Sequence, residues 1–124
     1  MPLKPIIPDR ETDWIPPSQV GDESPTTFKI RPITSEENRY LDNITSSVDQ
    51  TENHRYIRTG DVLWWRVKFG LAGVENYDVP FKMEPSKHTK RKCVADAFLE
   101  TLPHLEFCQL AGAIADYSDP DEGE

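Results

Sequence analysis

The run Thr59-Gly60-Asp61-Val62-Leu63-Trp64-Trp65-Arg66-Val67-Lys68-Phe69-Gly70-Leu71-Ala72-Gly73 decides how the chain folds. Thr59, Gly60 and Asp61 offer a helix start, and Val62, Leu63, Trp65, Arg66, Val67 and Phe69 follow in a segment too apolar for a surface helix with one free face. The pattern predicts the central helix of the molecule. Gly70 and Gly73 punctuate its end, where a chain needs positive φ or close approach. Adjacent side chains on a helix point about 100° apart, so Trp64 and Trp65 are both buried only if the helix is covered on two sides. Otherwise one of them faces a partner.

Outward from this helix the signals are simpler. On the C-terminal side, residues 71–81 read as a loop pinned to the core by Val74, Tyr77, Val79 and Phe81. Residues 82–92 are basic and polar, with Lys82, Lys87, His88, Lys90, Arg91 and Lys92. From Lys90 to Leu102 the apolar residues Val94, Ala95, Phe98, Leu99 and Leu102 recur at helical spacing, and Pro103 suits the first turn of a further helix striped by Phe107, Leu110, Ala111, Ile114 and Ala115.

On the N-terminal side, Thr26 to Ile33 alternates, with Phe28 and Ile30 pointing one way and Thr27, Lys29 and Arg31 the other, as in a half-buried strand. Thr34-Ser35-Glu36-Glu37 fits a capping box, and Tyr40, Leu41, Ile44 and Val48 form the stripe of the helix behind it. The first 25 residues carry Pro2, Pro5, Pro8, Pro16, Pro17 and Pro25, which exclude a helix or a central strand. The expectation is therefore an α+β fold, mainly α: a short N-terminal β element followed by about four helices. Residues 1–25 would be an extended, disordered Pro-rich arm whose Ile6, Ile7, Trp14, Ile15 and Val20 could dock on a groove of this protein or of a partner, residues 26–117 a single mainly helical domain, and residues 118–124 a disordered acidic tail.

Composition narrows the function. A net charge of -8 argues against a general nucleic-acid binder, because phosphate contacts need a basic surface. No run approaches the roughly 18 apolar residues of a membrane span, and prolines interrupt the start where a signal peptide needs continuous apolar chain. Cys93 and Cys108 alone make no disulfide framework, which fits a reducing cytoplasm.

Sites for chemistry are sparse. Metal ligation would have to draw on His54, His88, Cys93, His104 and Cys108, yet no Cys-x-x-Cys or His-Glu-x-x-His pair occurs, so no metal and no cofactor is expected. Cys93 follows a basic run but has no identifiable base. Gly70-Leu71-Ala72-Gly73 is neither a Walker loop nor a dinucleotide fingerprint. The carboxylates concentrate in the flanks, where nothing would shift their pKa values. The expectation is a non-enzymatic binding or assembly protein. Lys87, Lys90, Arg91 and Lys92 form a candidate contact patch for nucleic acid or an acidic partner, against the plainer reading of a solvated helix start.

Three segments carry a resemblance: Phe28-Lys29-Ile30-Arg31-Pro32-Ile33-Thr34-Ser35-Glu36-Glu37, then Val67-Lys68-Phe69-Gly70-Leu71-Ala72-Gly73-Val74-Glu75-Asn76-Tyr77 leading into Val79-Pro80-Phe81, then Leu102-Pro103 and Leu110-Ala111-Gly112-Ala113-Ile114. In this order, over roughly residues 26–117, the chain resembles the small tail assembly chaperones of tailed bacteriophages, with Val74 where members often carry Trp. The resemblance implies a protein that binds the tape measure protein, keeps it soluble and recruits tail tube subunits during virion morphogenesis. It implies no catalytic residues and a place in the cytoplasm of the bacterial host, outside the mature virion. Trp64, Trp65, Phe69, Leu71, Tyr77 and Phe81 are the expected core or groove residues for the partner. Two other readings stand beside it: a virion structural component such as a tail or head-tail connector subunit, with self-association, and a small nucleic-acid-binding regulator.

Overall fold

The structure, a computed structural model, describes residues 5–46 and 59–118. Among the described residues ten elements follow one another, of which a three-stranded antiparallel sheet and three longer helices form the body. The sheet has the order β1 (Thr12–Trp14), β2 (Thr27–Ile30) and β3 (Leu71–Glu75), with β2 in the centre. Phe28 sits opposite Trp14 on one side and Val74 on the other, and a bulge between Lys29 and Ile30 shifts the register toward Leu71. Phe28 and Ile30 point into the core as their alternation predicts. On the other face Lys29 reaches Asp13 at 3.1 Å and Glu75 at 3.3 Å, tying both flanking strands to the central one.

Beyond the bulge the alternation fails. Arg31 was expected to point outward but is buried, because its guanidinium donates to the Phe69 carbonyl (3.0 Å) and the Lys92 carbonyl (2.7 Å) while its amide donates to the Gly70 carbonyl. The Phe69 and Gly70 carbonyls close the C-terminal end of a helix, where a cation also meets the negative end of the helix dipole.

That helix, α2 (Thr59–Gly70), is the central one of the sequence reading. Val67, Lys68 and Phe69 are consecutive and all buried, so its second half is covered on every side, by α1 (Ser35–Ser46), α4 (His104–Ser118) and the strand β5 (Cys93–Val94). Helix α1 begins at the expected capping box: the Thr34 amide donates to Glu37 Oε1 at 3.0 Å and the Glu37 amide donates to Thr34 Oγ1 at 3.2 Å. Leu41 is buried in the core, while Val48 lies outside the described residues. Helix α4 buries Phe107, Leu110, Ala111 and Ile114, the stripe its spacing predicts. Where α2 ends, a Cβ on Gly70 would collide with Ile114 Cγ2; close approach, not a positive φ, explains this glycine.

Three expectations need correction. Residues 71–75 form a strand, not a loop: the bulge lets β3 pair with β2 directly out of the helix, so the β element is not confined to the N-terminal end. The helix expected from Lys90 is reduced to α3 (Asp96–Leu99), because Cys93 and Val94 pair with β4 (Met83–Glu84) in a second, two-stranded sheet. Residues 5–25 are not a free arm. Pro8 and Pro16 bracket a stretch short enough to be an edge strand, which proline permits, and Trp14 packs on Phe28 with ring centroids 6.0 Å apart. The Tyr117 hydroxyl donates to the Arg10 carbonyl and Arg91 to that of Pro8, so this segment is laid against the domain it precedes. Residues 1–4 and the tail beyond Ser118 lie outside the described residues.

Candidate functional site: two clefts flanking Asp96

Helix α2 carries Trp64 and Trp65 on two faces, and each indole walls a separate cleft. The first cleft, of about 470 Å³, is lined by Trp65, Lys68, Glu84, Ser86, His88, Cys93 and Asp96 among others. The second, of about 450 Å³, is lined by Leu63, Trp64, Leu99, Glu100, Leu102, His104 and Phe107 together with Gly60. Trp64 packs on Phe107 with centroids 5.8 Å apart; Trp65 packs on Tyr40, Phe69 and His88. Covering from two sides is thus what happens, but it is partial, and both indoles keep some exposed surface.

Asp96 lines the first cleft and bonds the indole that walls the second. Its Oδ1 accepts from Lys68 Nζ at 2.7 Å and from Trp64 Nε1 at 3.1 Å. Its Oδ2 has no hydrogen-bond partner among the described residues, and its side chain is 62% exposed. Lys68 is only 2% exposed and uses all three of its N–H groups: on Asp96, on the Val94 carbonyl at 2.9 Å and on Glu84 at 3.3 Å. Burial alone would depress the Lys68 ammonium, but the hydrogen bonds to Asp96 and Glu84, with the charges of Cys93 and Asp96, outweigh it and hold the lysine above its ordinary value. The same bond to Lys68 holds the Asp96 carboxyl below the usual aspartate range, against a smaller opposing effect of burial. Lys68 is therefore a fixed cation and not a free amine. Burial pushes the Cys93 thiol up despite Lys68 nearby, which makes Cys93 a poor nucleophile.

The six expected partner residues divide. Phe69 and Leu71 are 0% exposed and belong to the core, so they take no direct part in a groove. Tyr77 and Phe81 are half-buried around Phe98, at centroid distances of 5.7 and 5.1 Å, and the Tyr77 hydroxyl donates to the Thr101 carbonyl. They brace α3 from behind. Only Trp64 and Trp65 line the clefts.

The basic patch divides as well. Lys87, Lys90 and Lys92 are exposed, whereas Arg91 is turned inward: it grips Glu37 through Nε (2.9 Å) and Nη2 (2.7 Å) and donates to the carbonyls of Pro8, Pro32 and Phe69. Glu37 is fully buried, so this is an interior ion pair fixing the N-terminal segment, α1 and the end of α2 together. Arg91 is thereby removed from any contact surface. The residues that the sequence reading missed are Leu63, Leu99, Leu102 and Phe107 as cleft walls and Asp96 as the acceptor that bonds Trp64. An acid at the first position of a short helix is a readable signal; its partner Lys68, 28 residues earlier, is not. No family model, no curated protein and no solved structure matches the chain.

Proposed function

We propose that the chain is an assembly chaperone of the phage tail type, which holds an apolar-faced helix of the tape measure protein across the two clefts and recruits tail tube subunits to it. The observation that carries this reading is the pair of tryptophan-walled clefts linked by the bond from Trp64 to Asp96. Helix-in-groove recognition needs apolar pockets for anchor side chains spaced along one helix face, and Leu63, Trp64, Leu99, Leu102 and Phe107 supply such a pocket. Trp is also the residue type over-represented where binding energy concentrates. The unpartnered Oδ2 of Asp96 is a ready acceptor for a Lys or Arg of the bound helix. A net charge of -8 favours keeping such a complex in solution.

No helix among the described residues is long and apolar enough to cross a membrane. The regulator reading loses support because Arg91, the centre of its basic patch, is an interior residue. Co-expression tests the proposal. The tape measure protein encoded beside this chain should become more soluble and co-purify with it; unchanged solubility with no co-purification rejects the reading.

A further inference from the structure

Where α1, α2 and α4 come together, a pocket of about 240 Å³ is lined by Ile33, Asn38, Arg66, Ala115 and Ser118. None of these residues lines either tryptophan-walled cleft, so the pocket stands apart from the helix seat proposed above. One side of it is fixed: the Ile33 amide donates to Ser118 Oγ at 2.9 Å, and that hydroxyl donates to the Ile114 carbonyl at 2.7 Å.

Arg66 is the unusual member. Arg31 and Arg91, the other arginines drawn inward, bond backbone carbonyls, and Arg91 also holds Glu37. Arg66 is half-buried too, yet its guanidinium makes no hydrogen bond or ion pair among the described residues. A guanidinium presents five N–H donors in a planar fork that matches a carboxylate. Pockets for whole small molecules start at about 300 Å³, so this one suits a single acidic side chain.

The end of α4 gives an acid reason to come here. Its last turn holds Asp116 and no basic residue, and the sequence beyond it runs Asp119-Pro120-Asp121-Glu122-Gly123-Glu124. Acids at the negative end of a helix dipole are unfavourable without a cation nearby. Arg66 borders this turn, since Ala115 and Ser118 line the same pocket. Pro120 has no amide with which to extend the helix, and three or four residues of extended chain cover about 10–14 Å, enough to return to a pocket that Ser118 itself lines.

From this arrangement we infer that the pocket is a carboxylate site whose occupant is an acidic side chain of residues 119–124 of the same chain. Arg66 holds the carboxylate through paired N–H bonds, and the Asn38 side chain, also in the lining, supplies a further donor. The contact ties the sequence beyond α4 back to α1 and α2. Arg10 borders Ser118 as well, but it is exposed and lines a pocket of only about 60 Å³, so it serves as the comparison.

The test follows the Arg66 side-chain Nε–H resonance of the full chain, assigned by its loss in Arg66→Lys, beside that of Arg10. In a variant carrying Asp119→Asn, Asp121→Asn, Glu122→Gln and Glu124→Gln, the Arg66 Nε–H should shift and exchange with water at least about twofold faster, the pairing ratio of a weak, partly exposed ion pair. Arg10 should change less. Salt at about 1 M should move the resonance of the unaltered chain toward that of the variant, and tenfold dilution should leave it in place, because the ligand belongs to the same chain. Backbone amide spectra confirm that both proteins keep the fold. The same Arg66 signal in both proteins, an equal response at Arg10 and Arg66, or a signal that depends on protein concentration would each overturn the site.

Discussion

Arg91 and Lys68 are both cations drawn inside, and each fixes its surroundings by different means. Arg91 faces a fully buried carboxylate, so Arg91→Ala leaves Glu37 charged and unpaired and should cost about 3 kcal/mol in denaturant unfolding, whereas Lys90→Ala should stay within about 0.5 kcal/mol. Equal effects at the two positions would place Arg91 back on the surface. For Asp96 the sign follows from its depressed pKa: the stabilisation is present above its ordinary value of 3.8 and lost as pH falls through the lower folded value. Asp96→Asn should therefore cost about 1–2 kcal/mol at neutral pH, discounted for the exposure of the side chain, and should flatten the loss of stability below about pH 4. Lys68, with its pKa raised, stays charged throughout that window. Urea midpoints of both proteins across the acid range check this, and parallel curves would contradict it.

At the scale of elements, what was legible is what is local. The capping box at Thr34, the alternation of Phe28 and Ile30 and the stripe of α4 each lie within a few residues, and each forms as its spacing requires. What was not legible depends on pairing across the chain. Leu71–Glu75 carries no alternation of its own and becomes a strand only because β2 offers an edge to it; Cys93 and Val94 leave a helical pattern only because Met83 and Glu84 pair with them. Gly70 was readable as punctuation, but the reason for it lies on α4. Gly70→Ala should destabilise by about 1–3 kcal/mol through collision with Ile114, and Ile114→Ala in the same chain should recover part of that loss. Simple additivity of the two substitutions would show that the helices do not meet there.

For the molecule as a whole, the mixed α+β class was in the sequence, and the site was there only as two adjacent tryptophans. Their neighbours on α3 and α4 are 32 to 43 residues away in the chain, a separation at which no periodicity speaks: Asp96 bonds Trp64, and Phe107 packs beside it at a tilt. The N-terminal segment was hidden for the opposite reason, since six prolines argue against regular structure but not against docking along an edge. The central claim is that the surface around Asp96 holds an amphipathic helix. Binding of helical segments of the tape measure protein to this chain and to a Leu63→Glu, Leu102→Glu double variant, compared by titration calorimetry with circular dichroism confirming that both proteins fold, tests it most directly. At least a tenfold loss of affinity in the variant is predicted; equal affinity in both folded proteins, or no binding to either, would contradict it.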